Sequence, residues 1–196
     1  ATEAQPLPRR YLAGKPSPEI RLDSARLLLE WQRYTEARQQ LGFVTAEKPD
    51  LPQAWMAQAA LQFQDNDLDD AEASLQRYSA LVEPAGNAAT SRASMTPAYL
   101  LHAQIAEKRG NYAAAEQWLG HIENEQDLYS AQTRRASLLA RQGKLMEARA
   151  LIHSIPADTD NARRMNLMAE VQLLRDARKY REAKQQSKPR SSKKDW

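Results

Sequence analysis

Gly110-Asn111-Tyr112-Ala113-Ala114-Ala115 is the stretch that decides the reading of this chain, because its pattern comes back four more times. Tyr34-Thr35-Glu36-Ala37, Leu68-Asp69-Asp70-Ala71, Leu145-Met146-Glu147-Ala148 and Tyr180-Arg181-Glu182-Ala183 all read Tyr or Leu, two variable residues, then Ala. Successive alanines lie 34, 44, 33 and 35 residues apart, so three of the four spacings fall within one residue of 34, and a period of this size marks a repeated two-element unit. Just ahead of each copy the helical pattern breaks, at Gln32-Arg33, Asn66-Asp67, Gly110-Asn111, Gly143-Lys144 and Arg178-Lys179. Gly and Asn suit the left-handed residue that ends a helix.

Working outward, an aliphatic residue follows each of the first four alanines by four positions: Leu41, Leu75, Leu119 and Ile152. Three further on stand Val44, Tyr78, Ile122 and Ile155, so one face of a second helix is apolar. Twelve residues before the alanines come Ala25, Ala59, Ala103, Ala136 and Val171. A small residue on each of two antiparallel helices lets the backbones approach closely. Each unit is then a helical hairpin that must stack on its neighbours to bury its apolar face.

Composition agrees. Ala, Leu, Gln, Glu and Arg dominate the 196 residues, Gly numbers six, and no β-branched run alternates, so the fold class is all-α. The absence of cysteine excludes disulfides, thiolate metal sites and cysteine nucleophiles. No run of about 18 apolar residues offers a transmembrane span. Nine Lys/Arg against three Asp/Glu fall between Arg175 and Trp196, so the high isoelectric point belongs to the C-terminal end and the rest is net acidic.

The pattern resembles the tetratricopeptide repeat. Trp55 and Tyr99 match its first aromatic, Gly110 and Gly143 its mid-turn glycine, and Pro49 its closing proline. The family's Leu-Gly pair is replaced by Ser24-Ala25, Gln58-Ala59, His102-Ala103 and Arg135-Ala136. The resemblance covers residues 18–183 and implies a right-handed superhelical α-solenoid of antiparallel hairpins. Repeats are expected at about 18–51, 52–85, 96–128 and 129–162, with a partial fifth at 163–183. Residues 1–17, with Pro6, Pro8 and Pro16, are expected to be extended. Residues 84–95 are expected to form an insertion loop. The fifth unit carries Ser187 and Arg190 where aliphatics belong, so its second helix is expected to fray into a basic tail at 184–196. That unfinished unit reads either as the cap of the array or as a cut through a longer one, and N-terminal processing is one of two accounts of the missing initial Met, an excised segment of a longer chain being the other.

In this family the first helix of each hairpin lines a concave groove. Carried over by register, the groove positions include Leu22, Met56, Leu100, Thr133 and Met168 in one row and Arg26, Ala60, Gln104, Ser137 and Gln172 in the next. Leu29, Phe63 and Arg175 follow. The resemblance therefore implies a binding groove formed by Leu22, Arg26, Leu29, Met56, Phe63, Leu100, Gln104, Met168 and Gln172, suited to a peptide or protein partner. The Lys-Asn combination with which some members clamp a carboxylate terminus is missing from these rows.

Other chemistry is poorly supported. Asp65–Asp70 lacks the Gly and the Glu of a calcium loop, having Asp70 and Gln76 at those places. His102, His121 and His153 fall in different repeats, and no phosphate loop or nucleophile elbow is present. The expectation is a non-enzymatic scaffold or adaptor without cofactor, metal or specific nucleic-acid partner. The alternative is a homo-oligomerisation module that uses its unfinished ends. The Ala/Gln/Arg-rich style is similar to repeat proteins of Gram-negative bacteria, some of them periplasmic or envelope-associated adaptors.

Overall fold

The computed structural model describes residues 16–83, 88–123 and 125–186, and all secondary structure among them is helical. The helices are α1 (Pro18–Glu30), α2 (Tyr34–Glu47), α3 (Pro52–Gln64), α4 (Leu68–Val82), α5 (Ala88–Lys108), α6 (Tyr112–Gly120), α7 (Glu125–Arg141), α8 (Leu145–His153) and α9 (Asp160–Gln186). They fall into two compact units, residues 1–105 and 106–196. Residues 1–15, 84–87 and 187–196, and with them most of the expected extended segment and basic tail, lie outside the described residues.

One turn recurs four times. Gln32, Asn66, Gly110 and Gly143 have positive φ values of 58°, 68°, 73° and 85°, each five residues before a motif alanine. The residue after each donates its N–H to the carbonyl five positions back, at 2.8–2.9 Å, from Arg33 to Leu28, Asp67 to Gln62, Asn111 to Ala106 and Lys144 to Leu139. The positive-φ residue itself bonds three positions back, which completes a Schellman closure. Arg33, Asp67, Asn111 and Lys144 then open the next helix, and their carbonyls accept the N–H of Ala37, Ala71, Ala115 and Ala148. A single residue thus ends one helix and starts another.

In the first unit α1 packs on α2, α2 on α3, and α3 on α4. Ala25 and Ala37, both fully buried, share a core with Leu22, Leu28, Leu41, Val44, Ala54 and Leu61. Ala59 and Ala71 share the next core with Leu75, Tyr78 and the α5 residues Met95, Ala98, Leu101 and Ile105. Pairing an alanine with an alanine brings two helix axes toward the near end of the usual 8–10 Å separation. The larger residues around them then close the layer. In the second unit α7 packs on α6, α8 and α9, and Ala136, Ala148, Leu139, Ile152 and Leu173 form the core.

Two expectations are corrected. From Ala88 onward the expected insertion loop is helix, the first turns of α5, which carries Pro97 in its interior. The stretch is rich in Ala, and the missing N–H of Pro97 costs one ladder bond close to where the Tyr78 hydroxyl donates to the Ser94 carbonyl at 2.5 Å. The expected break at Arg178-Lys179 is absent too: α9 runs through it to Gln186, with Arg178 Nε bonded to Glu182 at 2.9 Å across the place of the turn. Gln32 shows that a non-glycine residue adopts the left-handed turn when it is repaid. Its cost of roughly 1–2 kcal/mol is small beside burying Leu41 and Val44, each worth about 1.5–3 kcal/mol. With Ser187 and Arg190 at the equivalent places, a turn at Arg178 would gain no such burial.

The turn chemistry is testable by urea unfolding. Gln32→Gly is expected to raise stability by roughly 0.5–1 kcal/mol and Asn66→Gly by less, because each relieves a strained backbone. Gly143→Ala is expected to lower it by about 1 kcal/mol, although a Cβ there meets no atom within 4 Å. No change at both Gln32 and Gly143 would contradict this account of the turns.

Candidate functional site

A line of polar contacts joins each hairpin to the one before it. The residue just before the small alanine of α3, Gln58, accepts from Thr45 of α2 at 3.2 Å. Its counterpart on α7, Arg135, donates to Glu116 of α6 at 2.6 and 2.9 Å. On α9 the equivalent residue is Glu170, which accepts from Arg149 of α8 at 2.8 Å and pairs with His153 at 2.8 Å. On α5 it is His102, buried, with the Glu72 carboxylate of α4 acting on it. Gln58, His102, Arg135 and Glu170 all stand just before the Ala or Val that precedes a motif alanine by twelve residues, so one place of the repeat carries these contacts between neighbouring hairpins.

Burial pushes the His102 imidazole below its ordinary value, against a smaller opposing pull from Glu72. His153, then Arg149, hold the Glu170 carboxylate below the usual range. Both shifts make the unfolded chain the better proton binder, so both contributions fail on acidification.

The candidate groove residues divide between buried and open positions. Leu22 is a core residue of the first pair, which corrects its assignment to the groove, and Leu29 packs half-buried against the same core. Arg26 is exposed and bonds Asp23 at 3.4 Å. Met56 and Phe63 lie half-buried on the second core, next to the α5 residues in it. Leu100 and Gln104, one turn apart on α5, are half-exposed. Met168 is 66% exposed on α9, and Gln172 is exposed, donating to Asp176 at 2.9 Å.

The second unit has a distinct groove between α7 and α9. A cleft of about 530 Å³ is lined by Tyr112, Ser137, Arg141, Leu173, Asp176 and Tyr180 among others. A second of about 280 Å³ shares Ser137 and Leu173 with it and continues along Thr133, Arg134 and Gln172. Thr133, Ser137 and Gln172 are among the residues that line these clefts. Arg141, Asp176 and the two tyrosines were missed, because Tyr112 and Tyr180 read as motif positions and the charged residues as solvated surface. The Arg141 guanidinium lies 5.5 Å from the centre of the Tyr112 ring, a distance that permits a cation–π contact. The lining is thus a floor of Leu173 under hydroxyl, amide and charged groups of both signs, and it can hydrogen-bond a peptide backbone while seating one apolar side chain.

Compared with known proteins, the chain matches no family model, and no curated protein matches it. Among the described residues no helix is long and apolar enough to cross a membrane.

The polar line predicts a specific pH response. The melting temperature is expected to fall as pH drops below the ordinary histidine value of 6.5, where the unfolded chain protonates first. His102→Leu is expected to flatten the curve between about pH 7 and 5. Glu170→Gln is expected to flatten it only below the ordinary carboxylate value of 4.5. Circular-dichroism melts across pH separate the two, and identical curves for all three proteins would refute the assignment.

Proposed function

We propose that this chain is a tetratricopeptide-type repeat array that holds a peptide or protein partner in a concave groove lined by its first helices. The observation that carries the reading is the repeated turn: four closures with the same bonds, each leading to a buried alanine set twelve residues after another buried alanine. Such units cover one another's apolar faces and leave first-helix side chains for binding. The groove of the second unit favours an extended peptide, since its polar lining offers partners to backbone N–H and C=O groups. The half-buried Met56 and Phe63 of the first unit favour apolar anchors, Met in particular being adaptable to varied partners. The reading makes the protein a non-catalytic scaffold or adaptor.

Photo-crosslinking tests it. A benzoyl-phenylalanine placed singly at Met56, Leu100, Ser137 or Gln172 is expected to give a common adduct in cells. The exposed second-helix positions Gln39, Gln76 and Gln117 serve as controls and are expected to give none. Met56→Glu combined with Leu100→Glu is expected to weaken partner capture by at least about tenfold with helicity unchanged. Equal adducts at both sets of positions would overturn the groove. An adduct made only of a second copy of the chain would replace the adaptor by a self-assembly module.

A further inference from the structure

The most exposed apolar row in the second unit lies on α9. Leu167, Val171 and Leu174 are 61%, 40% and 41% exposed, at the i, i+4, i+7 spacing of one helix face. Their register gives the row a meaning. Counted from the small alanine, the same three places hold Arg21, Ala25 and Leu28 on α1, and Trp55, Ala59 and Gln62 on α3. On α5 they hold Tyr99, Ala103 and Ala106, and on α7 Gln132, Ala136 and Leu139. All twelve are buried or half-buried. In α1, α3 and α7 the helix that carries them packs against the helix that follows. On α9 no turn forms at Arg178, so the corresponding seat is open. A cleft of about 310 Å³ runs beside it, between Leu145 of α8 and Leu174 and Ala177 of α9, with Arg178 and Arg181 at its rim.

Charge decides what fits. All four acids of α9 are engaged: Asp160 with Arg163, Glu170 with Arg149 and His153, Asp176 with Gln172, and Glu182 with Arg178. Arg164, Arg175 and Arg181 border the row at both ends, are exposed, and have no ion pair among the described residues. A second copy laid antiparallel on this seat would set Arg164 of one against Arg175 and Arg181 of the other. The residues that would supply the helix by register include Ser187 and Arg190 at the apolar places, and Ser187–Trp196 repeats the positive sign with Lys188, Arg190, Lys193 and Lys194. A membrane surface is a poorer fit, because the row spans only about 10 Å of helix and carries no aromatic anchor.

We infer that the α9 seat takes, in trans, an acidic amphipathic helix of a partner protein: two turns of apolar residues facing Leu167, Val171 and Leu174, with Asp or Glu at both ends against Arg164, Arg175 and Arg181. This helix completes the last hairpin in place of the chain's own. The inference does not depend on the groove formed by the first helices, and its variants leave Met56, Leu100, Ser137 and Gln172 intact.

The test uses the whole chain and three probes: a synthetic helical peptide with a Leu/Ala seam and Glu flanks, the same seam with Lys flanks, and vesicles containing anionic phospholipid. Fluorescence anisotropy is expected to show the Glu-flanked peptide binding at least about tenfold tighter than the Lys-flanked one, and the preference to shrink in high salt. Exchanging Arg164, Arg175 and Arg181 for Glu together is expected to reverse the preference, a surface change that leaves the core untouched. Val171→Glu is expected to weaken both peptides, with an unchanged circular-dichroism melt showing that the fold persists. Equal binding of the two peptides overturns the inference, as does binding to vesicles but to neither peptide. A concentration-dependent dimer abolished by Val171→Glu overturns it in favour of a second copy. Loss of groove crosslinks with peptide binding intact would count against the scaffold reading alone.

Discussion

The close approach of two alanines is the constraint on which each helix pair depends. Ala25 with Ala37, Ala59 with Ala71, and Ala136 with Ala148 are fully buried and share their cores. A methyl group loses no rotamer entropy on burial, and it lets two backbones come near enough for larger side chains to interlock around the contact. Once that separation is set, residues four and seven positions on, such as Leu41 and Val44, have one place to go. A three-residue turn then suffices to join the helices, and Gln32, Asn66 and Gly143 provide it in the left-handed conformation. A larger residue at either alanine would spread the pair and uncouple the turn from the packing it serves.

Stacking one pair on the next requires more than apolar contact, since apolar contact alone does not fix which neighbour goes where. The polar line supplies that discrimination. Thr45 to Gln58, Arg135 to Glu116, and Arg149 with His153 to Glu170 each tie a first helix to the second helix before it. Arg135 and Glu116 are 24% and 18% exposed at their side chains, dry enough for the geometry to matter and wet enough that each pair adds little net stability. Their contribution is therefore to register more than to strength. It also makes the stack sensitive to protonation at His102 and Glu170, where burial and bonding set the two states apart.

The same balance explains why α9 ends differently. A left-handed turn is a small cost that the following helix normally offsets by burying two aliphatic side chains. Where Ser187 and Arg190 replace them, the helix continues instead, and the face that a second helix would cover is left to solvent. Leu167, Val171 and Leu174 on that face belong to the same design as Ala25 or Ala136 but lack the contact that design anticipates. Surrounding arginines give the open face a sign, and so a chemical preference, that the groove between α7 and α9, with charges of both kinds, does not have.

The period, the paired alanines, the all-helical class and the four turns were legible in the sequence, because each depends on residues within about forty positions obeying the 3.6-residue rhythm of a helix. The breaking residues Asn66, Gly110 and Gly143 announce their own backbone conformation. What the sequence alone misjudged was whether a local preference would be rewarded at a distance. Arg178 reads as another turn and Ala88 as part of a loop, and both are helical; a turn at Arg178 would bury no aliphatic pair, with Ser187 and Arg190 at the places that follow. Leu22 looked like a groove residue and lies in the core, because a side chain's face is settled by how deeply its helix is covered and not by register alone. The clefts beside α9, and the pairing of polar residues across hairpins, are properties of helices brought together. Only the tertiary structure could decide them, since the residues that meet there are set by packing and not by spacing along the chain.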